Sequence, residues 1–444
     1  MQWLNRSRKF GSKPYIPAMP DIGRLRQAGI FVKGLAGRKP VIPVDSRRLE
    51  EEARERMSPE AAAYVLGGAG AESTMAANRA ALDRYRIVPR VLRDVSARDL
   101  SVTLFGRTLQ IPMLIAPIGV LEMAHREADV AVARAAAAEG IPYVFSSQAS
   151  VAMEACANAM GTSPRWFQLY WSRNDDLVRS FVARAERCGC EAIVVTVDTA
   201  FLGWRTRDLD LGYVPFVRGL GIAQYTSDPV FRAMLATPLD GPPGEKPRLN
   251  LNTLGAAAKI IRAYPGALSE KLRSGEPRAA VQRFLAIFSR PSLTWENVAT
   301  LREMTKLPIL IKGIQHPDDA RKAVEHGMDG IVVSNHGGRQ VDGAIGSLDA
   351  LPPVVDAIAG RMPVLFDSGI RSGADIFKAL CLGASAVLLG RPYVYGLAIA
   401  GEEGVREVIR NMIAELDLTM ALAGYSSIEE LGPNLLGSSG HSGE

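Results

Sequence analysis

The chain is 444 residues long and 47% apolar, with 52 lysines and arginines against 47 acids for a net charge of +5. It is long enough to bury a full core, and no apolar run reaches the roughly 20 residues that cross a bilayer. Its four cysteines, Cys156, Cys188, Cys190 and Cys381, lack paired metal-ligand spacing, and its basic residues lack the interleaving of a nucleic-acid binder, so the expectations are no metal, no nucleic-acid partner, reduced thiols and a cytoplasmic protein.

In chain order, charge comes first. Before Val41 stand Arg6, Arg8, Lys9, Lys13, Arg24, Arg26, Lys33, Arg38 and Lys39 against a single acid, Asp21. Residues 21–37 are basic and partly amphipathic. They read as an arm packing on the body of the protein or on a neighbouring subunit; a transit peptide or a membrane-surface helix is the alternative. Residues 47–66 predict a helix and residues 100–109 a short β segment, so residues 1–110 form an N-terminal arm and extension.

Eight short apolar runs follow: residues 112–116, 142–146, 166–170, 192–197, 308–312, 330–334, 363–367 and 385–390. Each suits a strand buried on both faces. Helical patterns lie between them. Over residues 317–327, Pro317 fits the first helical position and Asp318 and Asp319 the positive helix end. Ala320, Ala323 and Val324 make one apolar face, and Gly327 stops the helix. Residues 175–189 and 373–383 read the same way. Strand-then-helix repeated eight times predicts an α/β fold, a (β/α)8 TIM barrel over residues 111–430. A doubly wound sheet is the rival, but Gly67-Gly68-Ala69-Gly70 lacks the third spacing of a dinucleotide fingerprint.

Two regions break the rhythm. Between the fourth and fifth strands lie residues 198–307, far beyond an ordinary connection. An insertion is placed at about residues 209–293; the part nearest Arg205 reads as a lid, and the rest as lid, structural insertion or oligomer contact. It includes a Pro/Gly-rich stretch, residues 238–247. Residues 431–444 read as a flexible tail, disordered from Gly437 onward.

Barrel active sites form where strands end. Here the ends carry Ser146, Gln168, Tyr170, Thr196, Asp198, Lys312, Ser334, His336, Arg339, Asp367, Gly390 and Arg391. Polar groups at nearly every strand end point to a site on that face. Asp367-Ser368-Gly369-Ile370-Arg371 and Gly390-Arg391 combine glycines, backbone N–H groups and two guanidinium forks, which suits a phosphate; Asp367 could accept from a hydroxyl or orient an arginine. Ser334-Asn335-His336-Gly337-Gly338-Arg339-Gln340 is the most specific run. Of five histidines (His125, His316, His326, His336, His441), His336 alone follows a buried strand and precedes two glycines, as a general base beside a carboxylate-binding arginine would.

This run resembles the signature of the FMN-dependent 2-hydroxy acid dehydrogenases and oxidases. The likeness extends to residues 64–79 (YVLGGAGAESTMAANR), 167–170 (FQLY), 196–199 (TVDT) and 367–371 (DSGIR), to Ala116-Pro117-Ile118-Gly119, to Lys312-Gly313 and to Gly390-Arg391-Pro392. It covers most of the chain from about residue 45 to 430. Within the family, Gly203-Trp204-Arg205, Arg207-Asp208-Leu209, Pro215-Phe216, residues 228–231 (DPVF) and residues 312–321 (KGIQHPDDAR) resemble the lactate 2-monooxygenase branch. Thr206, where a proline is expected, and the long basic N-terminus depart from it.

The resemblance implies one FMN per chain. Its phosphate would lie near Gly369, Arg371, Gly390 and Arg391. Its ring would contact Ala116, Pro117, Ile118, Gly119, Ser146, Gln168, Thr196 and Ser334, with Lys312 at the pyrimidine edge; Asp367 is counted with the cofactor site. Arg205 and Arg339 would clamp a substrate carboxylate, and Tyr64 and Tyr170 would add hydrogen bonds. His336 would act as base, oriented by Asp198. The implied reaction oxidises a small L-2-hydroxy acid, foremost L-lactate, with O2 as acceptor and decarboxylation of the product, in a homotetramer or higher oligomer. A peroxide-forming oxidase and a quinone-linked dehydrogenase are the alternatives for the acceptor. An FMN-dependent isomerase and a non-catalytic flavin scaffold are more distant rivals. No Cys-x-x-Cys-His occurs to hold a haem.

Overall fold

The computed structural model describes residues 21–237, 248 and 250–438. Its centre is a closed parallel barrel: β1 (Met113–Ile115), β2 (Tyr143–Phe145), β3 (Arg165–Leu169), β4 (Ile193–Thr196), β5 (Ile309–Ile314), β6 (Gly330–Val333), β7 (Val364–Phe366) and β8 (Ala386–Leu389). Each strand pairs with its sequence neighbours, and β8 closes on β1 through Val387–Met113, Leu388–Leu114 and Leu389–Ile115. All eight apolar runs therefore become barrel strands, and the TIM barrel expectation holds.

The period-2 pattern divides the strand residues between two cores. Leu114, Val144, Trp166, Val194, Leu310, Val332, Leu365 and Leu388 meet inside the barrel. Their neighbours Met113, Ile115, Phe167, Ile193, Ile311, Ile331 and Phe366 face the surrounding helices. A hairpin of Val102–Leu104 and Arg107–Leu109 plugs the barrel floor: Leu104 and Leu109 join the inner cluster, and Phe105 lies 5.7 Å from Trp166.

The expected helix over residues 47–66 is two helices, Ser46–Arg56 and Pro59–Leu66. Pro59 cannot donate into a continuing helix and disfavours helical backbone before it, and the Ser58 hydroxyl accepts from the Ala61 N–H at 3.2 Å to start the second helix. That break matters, because it turns Tyr64 toward the mouth of the barrel. The basic arm contains the helix Ile22–Leu35, which packs on the long helix Arg391–Ala423. The packing is polar: Gly23 N–H donates to Asp417 at 2.8 Å, and Arg26 reaches Glu407 and Asn411. Arg6, Arg8, Lys9 and Lys13 lie outside the described residues, as do residues 238–247.

The long fourth connection is helical. Its proximal part, from Thr206–Asp210 to Pro229–Met234, buries Phe216, Tyr225 and Phe231. Its distal helices Leu251–Ala263 and Leu268–Ser274 bury nothing, and Glu276–Ile287 returns to the body through Phe284. The flexible-tail expectation is corrected for residues 431–438. Leu435 is buried, and Leu436–Ser438 pairs antiparallel with Tyr85–Ile87. Residues 439–444 lie outside the described residues. Among the described residues, no helix is long and apolar enough to cross a membrane.

Candidate active site

At the C-terminal ends of the strands lies a cleft of about 1130 Å³. Every strand or the turn after it contributes a wall residue: Ala116, Gln148, Gln168, Thr196, Lys312, His336, Asp367 and Leu388 among them. Tyr64 from the extension and Arg205, Phe216 and Phe288 from the fourth connection close the remaining side.

His336 follows β6 in a left-handed backbone conformation, φ 58°, which few non-glycine residues adopt. Ser334 Oγ accepts its N–H at 3.0 Å. The ring Nδ1 meets Asp198 Oδ1 at 2.8 Å, and Nε2 lies 3.4 Å from the Tyr170 hydroxyl. Burial opposes charge on Asp198, but the His336 ring, its hydrogen bond, Lys312 and Thr199 hold the carboxyl below its ordinary value. Burial also lowers the His336 pKa, outweighing the opposing pull of Asp198. An ionised Asp198 facing Nδ1 fixes the proton there. Nε2 is then a free base aimed into the cleft. The close approach needs Gly313 (φ 110°), where an added Cβ would stand 2.7 Å from the Asp198 Cβ.

Lys312 is buried and bound at both sides, donating to Ser334 Oγ at 2.8 Å and pairing with Asp367 Oδ2 at 3.0 Å. Burial disfavours its charge, but Asp367 and Asp198 more than restore it, so the ammonium stays protonated. Asp367 lines the cleft and, of the two roles open to it, makes no arginine bond: it partners Lys312 and the Ser368 hydroxyl (2.8 Å).

Arg339 and Arg205 flank the Tyr64 ring, their guanidinium carbons 4.8 and 5.9 Å from its centroid. Arg339 anchors one nitrogen on the carbonyls of Tyr64 and Gly67. Burial, together with Arg205, pulls its pKa down to about 9. Two neighbouring cations sharing a buried space are what a bound carboxylate would neutralise. Arg205 is held by Gln340, whose Oε1 accepts from Arg205 Nη2 and Gly203 N–H, both at 3.3 Å. The Gln340 amide also donates to the carbonyls of Asp198 (2.9 Å) and Phe201 (2.8 Å). Thr206 replaces the stiffness of a proline with a bond, its hydroxyl donating to the Gly70 carbonyl at 2.9 Å.

The residues present fit FMN. Gln168 Nε2 and Thr196 Oγ1 are buried without a hydrogen-bond partner among the described residues, and both side chains line the cleft. Unpaired buried polar atoms call for a polar ligand. Gly369 (φ 106°) and Gly390 leave backbone open beside Arg371, as a phosphate requires. Arg391 is more committed than the sequence suggested: its guanidinium donates to the carbonyls of Val65, Gly337 and Gly67 at 2.9–3.0 Å, tying the extension to the barrel, while still lining the cleft.

Of the residues read from sequence, Tyr64, Ala116, Pro117, Ile118, Gly119, Gln168, Tyr170, Thr196, Arg205, Lys312, His336, Arg339, Asp367, Gly369, Arg371, Gly390 and Arg391 share this cleft. Ser146, Asp198 and Ser334 are not among its lining residues and bond to side chains that are. Gln148, Thr199, Leu202, Phe216, Phe288 and the positioning role of Gln340 were not read. Thr199, Gln340 and Phe216 stood inside quoted motifs with no cleft role read for them; Phe288 had no local signal.

Comparison with known proteins agrees with this geometry. Residues 53–438 match the family model described as FMN-dependent dehydrogenase. The chain is 44% identical to an FMN-dependent alpha-hydroxy acid dehydrogenase of Penicillium citrinum, over 88% of this chain and 90% of that one. It is 42% identical to an L-lactate oxidase of Lysinibacillus sphaericus, over 90% and 94%. A crystal structure of mandelate oxidase with (S)-4-hydroxymandelic acid superposes with a TM-score of 0.73 at 36% identity, covering 89% of this chain and 99% of that one. The chain thus belongs to the family of FMN-dependent 2-hydroxy acid dehydrogenases and oxidases.

Proposed function

We propose that the protein oxidises a small L-2-hydroxy acid, foremost L-lactate, with O2 as final acceptor and decarboxylation of the keto acid before release. The His336–Asp198 pair facing Tyr170 and two arginines across one cleft carries this reading. Arg205 and Arg339 bind the substrate carboxylate, and Tyr64, stacked between them, holds its edge. Tyr170 donates to the 2-oxygen; burial keeps this phenol protonated. His336 Nε2 takes the hydroxyl proton, and Asp198 stabilises the resulting imidazolium. FMN, when bound, would supply the acceptor for the hydride leaving C2. Gln168, Thr196 and Lys312 would hold its ring system, with Ser146 and Ser334 behind them, and Lys312 would offset negative charge gained there. Gly369, Arg371, Gly390 and Arg391 would hold its phosphate.

Decarboxylation requires the keto acid and peroxide to stay together. The buried position of Arg205 and Phe216, on a connection tied to Gly70 and Gln340, favours that retention. A second reading, release of keto acid and hydrogen peroxide, is favoured by the L-lactate oxidase relatives and by Trp204, which is 71% exposed beside Arg205. Product analysis in air without catalase separates the two. The proposal expects acetate and carbon dioxide from L-lactate with little free peroxide. Stoichiometric pyruvate and peroxide would replace it with the oxidase reading.

A further inference from the structure

The helix Ile22–Leu35 is inside out. At 100° per residue, Ile22, Gly23, Arg26, Ile30 and Lys33 fall on the side that meets the body, where Ile22 packs on the core and polar bonds run to Asp417, Glu407 and Asn411. Leu25, Ala28, Phe31, Val32 and Leu35 fall on the opposite side, with Arg24, paired to Asp21 at 3.7 Å, among them. Leu25, Phe31, Val32 and Leu35 are 59–90% exposed. A surface helix ordinarily hides its apolar stripe and shows its charges. Here the arginine is anchored inward and the apolar stripe faces out, so the stripe wants a partner.

Charge selects the partner. Lys33, Arg38 and Lys39 are exposed and form no ion pair among the described residues, and Arg24 is 79% exposed. Asp21, the single acid before Val41, is already bound to Arg98. A second copy of the helix laid on this face would set these cations against their own kind. So would residues 1–20, which carry Arg6, Arg8, Lys9 and Lys13 and no acid. An anionic lipid surface satisfies both features, taking the apolar stripe into its interface and the cations against its headgroups.

We propose that Ile22–Leu35 docks the enzyme reversibly on anionic membranes, with Phe31, Val32 and Leu35 inserted and Arg38 and Lys39 on the headgroups. The arrangement is peripheral and leaves the cleft residues untouched. The test is flotation of the full-length, FMN-loaded enzyme with phosphatidylcholine vesicles, with and without about one third phosphatidylglycerol. The wild type should float with the anionic vesicles, stay behind with the neutral ones, and be released by salt. The variants F31S/V32S/L35S and R38E/K39E should each lose about tenfold or more of this binding, with 2-hydroxy acid turnover and flavin content unchanged. Absence of wild-type binding, or full binding by both variants, overturns the proposal. So does a fall in oligomeric state of F31S/V32S/L35S by light scattering without vesicle binding by the wild type, which would assign the face to a second copy.

Discussion

The eight strand ends and the fourth connection both reach the cleft, but they are held there differently. A strand end is positioned by its own ladder: Thr196 pairs with Lys312 in register, and each side chain's direction follows from alternation along the strand. Arg205, Phe216 and Phe288 are positioned by contacts between distant segments. Gln340 holds Arg205, Gly70 holds the adjacent Thr206, Tyr64 meets Phe216, and Phe284, which stacks on Phe288 at 5.1 Å, ties it to Phe216 and Tyr225. The difference separates chemistry, which the barrel fixes, from substrate enclosure, which the connection supplies and could vary.

The sharpest contrast comes from His336→Ala. It should lower the rate of substrate oxidation by about 10²–10⁴-fold while FMN stays bound, because the base is lost and the strand end remains. Rapid-mixing reduction kinetics on the flavin-loaded variant measure this. Near-normal reduction would move the base elsewhere.

Phe284→Ala attacks the other region. Phe284 is fully buried where both halves of the connection meet, so truncation should cost about 3–5 kcal/mol of stability in denaturant unfolding. Flavin affinity should fall less than substrate affinity. Equal loss of both would show that the connection and the barrel are one cooperative unit.

Arg205→Lys keeps the charge and removes the fork that bonds Gln340 and faces the carboxylate. We expect kcat/KM to fall by about ten- to a hundredfold. An unchanged value would mean that Arg339 alone binds the carboxylate.

The pH profile of kcat/KM sharpens the same division. His336 must be unprotonated to act, and its pKa lies below the ordinary 6.5, so activity should persist below that pH before falling. Arg339 must be charged, and burial beside Arg205 lowers its pKa, so the alkaline side of the profile is where it would show. Arg339→Lys should shift the alkaline limb and leave the acid limb in place. A shift of both would merge the two groups into one titrating unit.

The smallest effect is expected at the distal helices. Leu254 is 59% exposed and its helix buries no residue, so Leu254→Ser should change stability by less than about 0.5 kcal/mol and leave turnover unaltered. A loss of assembly by light scattering would give this part of the connection a subunit contact.

This division also accounts for what the sequence disclosed. The strands were legible because two-sided burial writes itself as short apolar runs between helical patterns, and the polar residue that ends each run stands out. His336 and Lys312 were found that way. Phe216 and Phe288 look like any core phenylalanine, and only the folded path of the connection brings them to the cleft. The Asp367–Lys312 pair carried no local signal because the two lie two strands apart. The helix break before Pro59 carried a local signal in Ser58-Pro59, a cap followed by a first-turn proline. The order of residues 431–438 carried none, since it rests on pairing with Tyr85–Ile87, some 350 residues earlier.

The proposed function has this cleft pass hydride from an L-2-hydroxy acid to FMN. The direct test is the visible spectrum of the flavin-loaded enzyme, before and after anaerobic addition of L-lactate. An oxidised flavin spectrum should bleach with L-lactate and return on admitting air, while D-lactate leaves it unchanged. A spectrum that never bleaches with L-lactate or any other small L-2-hydroxy acid would contradict it.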